Sequence, residues 1–464
     1  MSSPQTPQDT VERVLGLSRA DGCVVVAEER SETNLRWATN TLTTNGEMRS
    51  RTLTVISVVD GQLGAAGGVV QRSSVDPADL ETLVRASEQA ARDAGPADDA
   101  APLVEPSGSD PRWDEPPVQT SVSVFDEFAP TLGETFRSAR AQDRLLFGFA
   151  KHVLTSTYVG SSTGLRRRHD QPTGKLELNG KSHDYTRSAW TGAATLDFTD
   201  VDVAALDAEL ATRLGWAQRT TEIPAGRYET LLPPTAVADL LIYLYISATA
   251  READEGRTVF SRKGGGNRIG DKLSDMRLTL RSDPGAAGVQ AAPFVAVTSS
   301  NGLWSVFDNG APVGNTDWIR DGVLTSLIGT RAWAAKSGGE AHPIIDNLIL
   351  DAPAGAGSLP DMVASTERGL LLTCLWYIRE VDPQTLLLTG LTRDGVYLVE
   401  HGEVSGAVNN FRFNESPVDL LGRAAQAGPT DVTLPREWND FFTRAAMPPL
   451  RIPDFNMSTV SKAS

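Results

Sequence analysis

Five histidines and two cysteines are the whole supply of imidazole and thiol groups in this chain of 464 residues, and none sits in a pattern that holds a metal. His152, His169, His183, His342 and His401 form no pair at i, i+3 or i, i+4, the spacing by which one helix face presents two imidazoles to Zn²⁺. Each reads as a surface or hydrogen-bonding residue. Cys23 lies in GCVVVA and Cys374 in LLLTCLW. A thiolate nucleophile needs a neighbouring base and a lowered pKa, which Thr373, Leu375 and Trp376 do not offer. Two cysteines are also too few for a disulfide framework, so both read as reduced, packed thiols.

Other catalytic patterns are missing as well. There is no Ser-x-x-Lys and no Cys-x-x-Cys, and no pair of acids is singled out as a glycosidase dyad. Asp382, Asp394, Glu400 and Glu403 read as turn and strand-edge residues. Gly264-Gly265-Gly266 resembles a phosphate cradle only superficially, because no Lys-Ser/Thr follows it to open a helix and no βαβ pattern surrounds it.

Composition narrows the class of partner. Fifty-nine acidic against 43 basic residues leave a formal charge of −16, which opposes a phosphate backbone and argues against nucleic acid. Hydrophobic residues at 40% and charged residues at 22% are those of a folded globular chain, long enough for two or three domains. The first twenty residues lack the basic and apolar regions of a secretory signal, and no window holds 18 uncharged apolar residues. A cytoplasmic protein without a membrane span is expected.

The elements that must position any site fall into two halves. Residues 1–220 read as sheet and helix: a helix over Thr10–Ala20 capped by Thr10, then short β runs at Cys23–Ala27, Asn34–Ala38 and Leu53–Val59 broken at the turn pairs Asn45-Gly46 and Asp60-Gly61. A helix runs from Asp76-Pro77 to about Ala94, with Ser87 interrupting its apolar stripe. An Ala/Pro/Asp-rich exposed connection covers about 95–117. A helix over Val122–Ala141, strands at Leu145–Thr157, Lys175–Asn179 and Ala189–Asp197, and a helix over Val203–Gln218 complete this half. Residues 221–464 open with an apolar helix, Thr235–Arg251, and then read mainly as β, at Leu278–Leu280, Val323–Ile328, Leu348–Leu350, Leu370–Trp376, Leu386–Leu391 and Val396–Glu400. The expected class is α+β, with a mainly antiparallel C-terminal half.

A series of phrases in that half is distinctive in order and spacing. Gly256–Ser261 is followed by Arg262-Lys263, then Leu273–Leu280 with Asp283-Pro284, then VFDNGAPVGNTDWIRDGVLTSLI over Val306–Ile328. NLIL from Asn347, GLLLT from Gly369 and TGLTRDGVYLVEHGEVSGAVNNFRF over Thr389–Phe413 complete it. Together they resemble the TldD/PmbA family of metalloprotease-related proteins, in particular its TldE/PmbA-type members. The resemblance covers about residues 220–460 well and the first half more loosely.

That resemblance implies a paired assembly. TldD-type subunits carry zinc on a His-Glu-x-x-x-His helix and cleave unfolded peptides, while TldE-type subunits complete the chamber without a metal of their own. Counted back from Val259-Phe260-Ser261, the helix positions of that motif fall near Leu241, Ile242 and Ile246, which can neither ligate a metal nor move a proton. The family's further ligand, a cysteine close to the C-terminus, has no counterpart beyond Cys374, and the tail reads AAMPPLRIPDFNMS. The expectation is therefore a chain with no catalytic residue, metal ligand or cofactor, partnered by a TldD-like zinc-bearing subunit and acting on unfolded peptide.

Ser261, Arg262 and Lys263 either face the shared chamber, where the glycine main chain pairs with an extended peptide, or form a mobile loop with two solvated cations. Asn409, Asn410 and Arg412 are a second candidate partner surface, since amides and a guanidinium can hydrogen-bond a partner's backbone. The alternative function is a stand-alone peptide-binding protein of the same fold without a protease partner.

Overall fold

The structure, a computed structural model, describes residues 5–106, 108, 110–353 and 357–461. Helix α1 spans Pro7–Leu17 and starts earlier than the expected Thr10. Thr6 caps it, its hydroxyl accepting from Asp9 N while the Asp9 carboxylate accepts from Thr6 N, and Pro7 occupies the first turn, where its missing N–H costs nothing.

The short β runs are parts of long strands. Strand β1 is Gly22–Ala38, β2 is Thr41–Gly61 and β3 is Gly64–Ser73, followed by helix α2 at Leu80–Asp93. Asn45-Gly46 is not a turn: it lies inside β2, paired with Leu35 and Asn34. The turn is at Thr39 and Asn40, with φ of 49° and 60°, the left-handed pair that matches strand twist in a two-residue hairpin. A long-range contact holds it there, because Asn40 Nδ2 donates to Arg144 O at 2.8 Å and Asn40 Oδ1 accepts from Leu146 N at 2.7 Å.

Ser87 is no defect in α2. Its hydroxyl lies 2.5 Å from Ser57 Oγ at a point where helix and sheet nearly touch. A Cβ on Gly68 would sit 2.2 Å from Ala91 N and from Ser87 O.

Helix α3 (Phe128–Ala141), strands β4 (Arg144–Ser161), β5 (Arg166–Ser182) and β6 (Ser188–Thr195), and helix α4 (Val203–Trp216) follow. The sheet order is β3-β2-β1-β4-β5-β6, antiparallel throughout. Period-two alternation divides its faces. Cys23, Val25, Ala27, Leu35 and Trp37 of β1 pack beneath the helices with Leu146 and Tyr158 of β4, whereas Val24 and Val26 turn to the other face and meet Phe294, Val306 and Phe307 of the C-terminal half. Both faces being covered explains why GCVVVA is apolar without alternation.

The 95–117 connection is more enclosed than its composition predicts. Leu103 and Val104 pack beside Val24 and Phe307, Trp113 packs beside Tyr158, and Gln8 Nε2 donates to Trp113 O at 2.8 Å. Glycine, proline and aspartate prevent regular structure here, but the few apolar residues between them suffice to bind the strap to the sheet.

The C-terminal sheets begin where the chain reaches Thr220–Thr221, which pairs with Ala407–Val408. Helix α5, Pro234–Ser247, is apolar all round and sits in the main core, with a separate short helix at Ala250–Asp254 rather than one helix to Arg251. A six-stranded sheet runs in the order Val323–Leu324, Thr316–Arg320, Thr279–Ser282, Leu348–Asp351, Ala445–Met447, Asp431–Thr433. A ten-stranded sheet contains Leu375–Asp382, Leu387–Thr392, Phe411–Glu415, Leu450–Val460, Gly226–Leu232, Arg368–Leu372, Val396–Glu400, Glu403–Val408, Thr220–Thr221 and, beside the path, Gln426–Ala427. Most pairings are antiparallel; Leu370 with Thr230, Ala407 with Thr220 and Leu348 with Ala445 are parallel. The expected strand Leu370–Trp376 is two strands, since the chain leaves the middle of the sheet after Leu372 and re-enters at its edge from Leu375.

Candidate functional site

A cavity of about 660 Å³ lies between the two halves. Its first wall is the face of the N-terminal sheet that turns away from α1 to α4. Register sets the wall out in rows: Glu28, Thr157 and His169 lie side by side, then Arg30, Thr155 and Gln171, and two steps further Lys151 beside Lys175. The opposite wall is built by Phe294 to Val297, Trp304 and the segment Trp438 to Arg444, and α5 adds Ile242 and Ile246. Phe441 stands at 83% exposure on this wall, an apolar ring presented to solvent.

Polar ties hold the walls in register. Lys175 Nζ donates to Asp440 Oδ1 at 2.7 Å and to Asn439 Oδ1 at 3.0 Å. Arg444 Nη1 reaches Thr173 Oγ1 at 2.8 Å and also pairs with Asp346. Asp239 of α5 anchors the second wall from behind: one carboxylate oxygen accepts from Glu437 N at 2.8 Å, the other has no hydrogen-bond partner, and burial pushes its pKa well up. Burial also lowers the pKa of His169, so the imidazole facing the cavity is held neutral.

Leu241, Ile242 and Ile246 lie on α5, and the last two form cavity wall. None has an atom that can bind Zn²⁺, so the zinc of the resembled family does not fit this helix. Among the described residues no group of three or more His, Cys, Asp or Glu is arranged to hold a metal ion. Both cysteines are buried and free, with burial raising Cys23 to about 11 and Cys374 to about 12.

None of the six residues singled out as candidate surface lines the cavity. Ser261 accepts from Thr258 N at 3.1 Å, and Arg262 pairs with Asp271 at 2.6 Å across a turn closed by Arg262 N to Gly266 O at 2.9 Å. Lys263 is exposed beside it, and the three glycines take φ of 97°, 109° and 79°. Asn409 Oδ1 accepts from Ile223 N at 2.8 Å, Asn410 O accepts from Ser461 N at 2.8 Å, and Arg412 is exposed with Nη1 3.3 Å from Thr389 Oγ1. The cavity-lining residues Glu28, Lys151, His169, Lys175 and Asp440 were not read as site residues from sequence. The alternating polar residues of KHVLTSTY and HDQPTGK were the available signal, but which face was open depended on the packing of the other half.

These features define a two-part α+β fold enclosing an interdomain cavity, and comparison places it. The family model for the PmbA/TldA metallopeptidase C-terminal domain matches residues 225–459. The chain belongs to the PmbA/TldD family. The fold is similar to TldE from Thermococcus kodakarensis, with a TM-score of 0.77 and 16% identity over 97% of this chain and 99% of that one. It is equally similar to a putative modulator of a DNA gyrase from Thermotoga maritima MSB8, with the same score, identity and coverage. A further putative modulator of DNA gyrase, from Bacteroides thetaiotaomicron VPI-5482, gives 0.75 and 16% over 98% of each chain. No curated protein matches the sequence. Among the described residues no helix is long and apolar enough to cross a membrane.

Proposed function

We propose that this chain is the zinc-free, TldE-like subunit of a hetero-oligomeric peptidase in the cytoplasm, paired with a TldD-like subunit that carries the zinc and cleaves unfolded peptides. One observation carries the reading: α5, where the count back from Val259-Phe260-Ser261 puts the zinc-motif positions of TldD-type subunits, turns Ile242 and Ile246 to the cavity. An apolar wall of this kind can accommodate peptide side chains but cannot activate water. The chain's contribution is to shape the chamber and hold its partner, so selection of substrate is steric: a folded domain does not enter a space of about 660 Å³. The loop Ser261-Arg262-Lys263 and the strand residues Asn409, Asn410 and Arg412, all away from this cavity, are the surfaces we assign to the partner.

The test is to produce the chain alone and together with a homologue bearing His-Glu-x-x-x-His, then to measure bound zinc and cleavage of an unfolded peptide. A zinc-free, inactive chain that is required for cleavage by the mixture supports the proposal. Stoichiometric zinc and activity in the chain alone overturn it, and peptide binding with no effect on the homologue points to a stand-alone binding protein.

A further inference from the structure

Two ionisable side chains without a direct partner stand toward opposite ends of the cavity. At one end Lys151 stands directly opposite Lys175 on neighbouring strands, an arrangement that repels and is normally avoided. Lys175 is paired with Asp440 at 2.7 Å and with Glu177 at 3.6 Å. The Lys151 ammonium has no hydrogen bond or ion pair of its own among the described residues, Asp440 being only within electrostatic reach of it.

At the other end Glu28 stands within electrostatic reach of Arg30. Arg30 is paired with Glu32 at 2.9 Å, whereas Glu28 also lines the cavity and has no hydrogen bond or ion pair among the described residues. His169, the neighbouring titratable group in that row, is kept neutral by burial and bonds Gln171. The Glu28 carboxyl, whose pKa burial raises against the pull of Arg30, therefore lies along the trough from the Lys151 ammonium.

The separation has a natural measure. Glu28 is opposite Thr157, six residues along β4 from Lys151, which is about 20 Å at ~3.3 Å per residue. An extended chain of about six residues has the same length. The lining also includes Ile242, Ile246, Phe294, Trp304 and Trp438, which carry no charge of their own.

We infer that the cavity binds an extended peptide of about six residues by both ends, its terminal ammonium at Glu28 and its terminal carboxylate at Lys151, with apolar side chains against the wall between them. The ligand class is thus a short peptide with free termini, lying in the direction of β1. This rests on the peptide-handling reading above and adds to it a length, a direction and a demand for both terminal charges.

The probe is a hexapeptide of alanine and leucine with a fluorophore on a central side chain, prepared with both termini free, N-acetylated, C-amidated, or capped at both. Binding to the whole chain is read by fluorescence anisotropy. Amidation is expected to weaken binding about tenfold, as loss of one partly buried charge pair does, and acetylation by a similar factor. Lys151→Met is expected to abolish the discrimination between acid and amide while retaining that between amine and acetyl, and Glu28→Gln to do the reverse. Because Lys151 is repelled by Lys175 in the free protein, Lys151→Met should melt no lower than the parent, and binding of the doubly capped peptide gives a control for intact shape. Equal binding of all four forms overturns the inference but leaves the peptide reading standing. Failure of every form to bind also overturns the inference, the peptidase-subunit reading being judged separately by cleavage in the mixture, and an exchange of the two variants' effects overturns the direction.

Discussion

Lys175 Nζ lies 2.7 Å from Asp440 Oδ1, so a strand of the N-terminal sheet and a loop of the C-terminal half are joined at the mouth of the cavity they share. Lys175 is almost wholly buried while Asp440 is largely exposed, and the bond from Lys175 is the main reason that the Asp440 carboxyl titrates below its usual range.

That depressed pKa fixes a pH dependence. A carboxylate favoured in the folded state contributes its full stability above the unfolded value of 3.8 and loses it as pH falls through the lower native value. Asp440→Asn should therefore be less stable than the parent near neutral pH, and the gap should close below about pH 4. Urea midpoints of both proteins across that range check it, and a gap that persists into strong acid is the contrary result.

His152 gives a dependence at higher pH. Its Nε2 lies 2.7 Å from Leu196 O, which can only accept, so Nε2 carries the proton and Nδ1 accepts from Thr120 Oγ1, also at 2.7 Å. Burial lowers its pKa, so protonation favours the unfolded chain and stability declines as pH falls below 6.5. His152→Gln should reduce that decline in thermal melts recorded between about pH 7 and pH 5.

Cys374 should be unreactive. With its thiol pushed up to about 12 by burial, almost no thiolate exists at neutral pH. An aromatic disulfide reagent should label neither Cys374 nor Cys23 in the native chain and both after denaturation. Rapid labelling of one thiol in the native chain would show that it is open to solvent.

Arg144 and Asp207 join the start of β4 to α4 through two bonds of 2.5 and 2.8 Å, with both side chains about 8% exposed. Removing one partner leaves a buried charge, so Asp207→Ala should cost about 3–5 kcal/mol, read from denaturant unfolding. The paired replacement Arg144→Met with Asp207→Leu should recover much of the loss, since neither charge is then stranded.

Gly68 allows α2 to approach β3. Gly68→Ala would place a methyl 2.2 Å from main-chain atoms of the helix, which cannot rotate aside. A loss of about 1–3 kcal/mol is expected from such overpacking. An unchanged melting temperature would mean that helix and sheet can separate at little cost.

Particular residues show where sequence reading succeeded and where it failed. The apolar run of α5 announced a buried helix, and the β-type runs near Leu348, Leu388 and Val396 announced strands, because burial of side chains follows directly from local pattern. Asn45-Gly46 failed as a turn because the competing pair, Thr39-Asn40, is held by main-chain groups of Arg144 and Leu146, more than a hundred positions away. Ser87 interrupted a stripe only on paper, since its partner Ser57 lies on a strand thirty residues earlier.

The sequence by itself pointed to the family, and it determined that the side chains of Leu241, Ile242 and Ile246 bind no zinc in any conformation, because they have no donor atom. It determined the α+β class as well, through the periods of its apolar residues. Only the tertiary structure decided that Ile242, Ile246, Glu28 and Lys151 share one cavity. Those residues come from three elements up to 218 positions apart, and which face of a strand meets solvent or another domain is settled by packing between halves that no local pattern encodes.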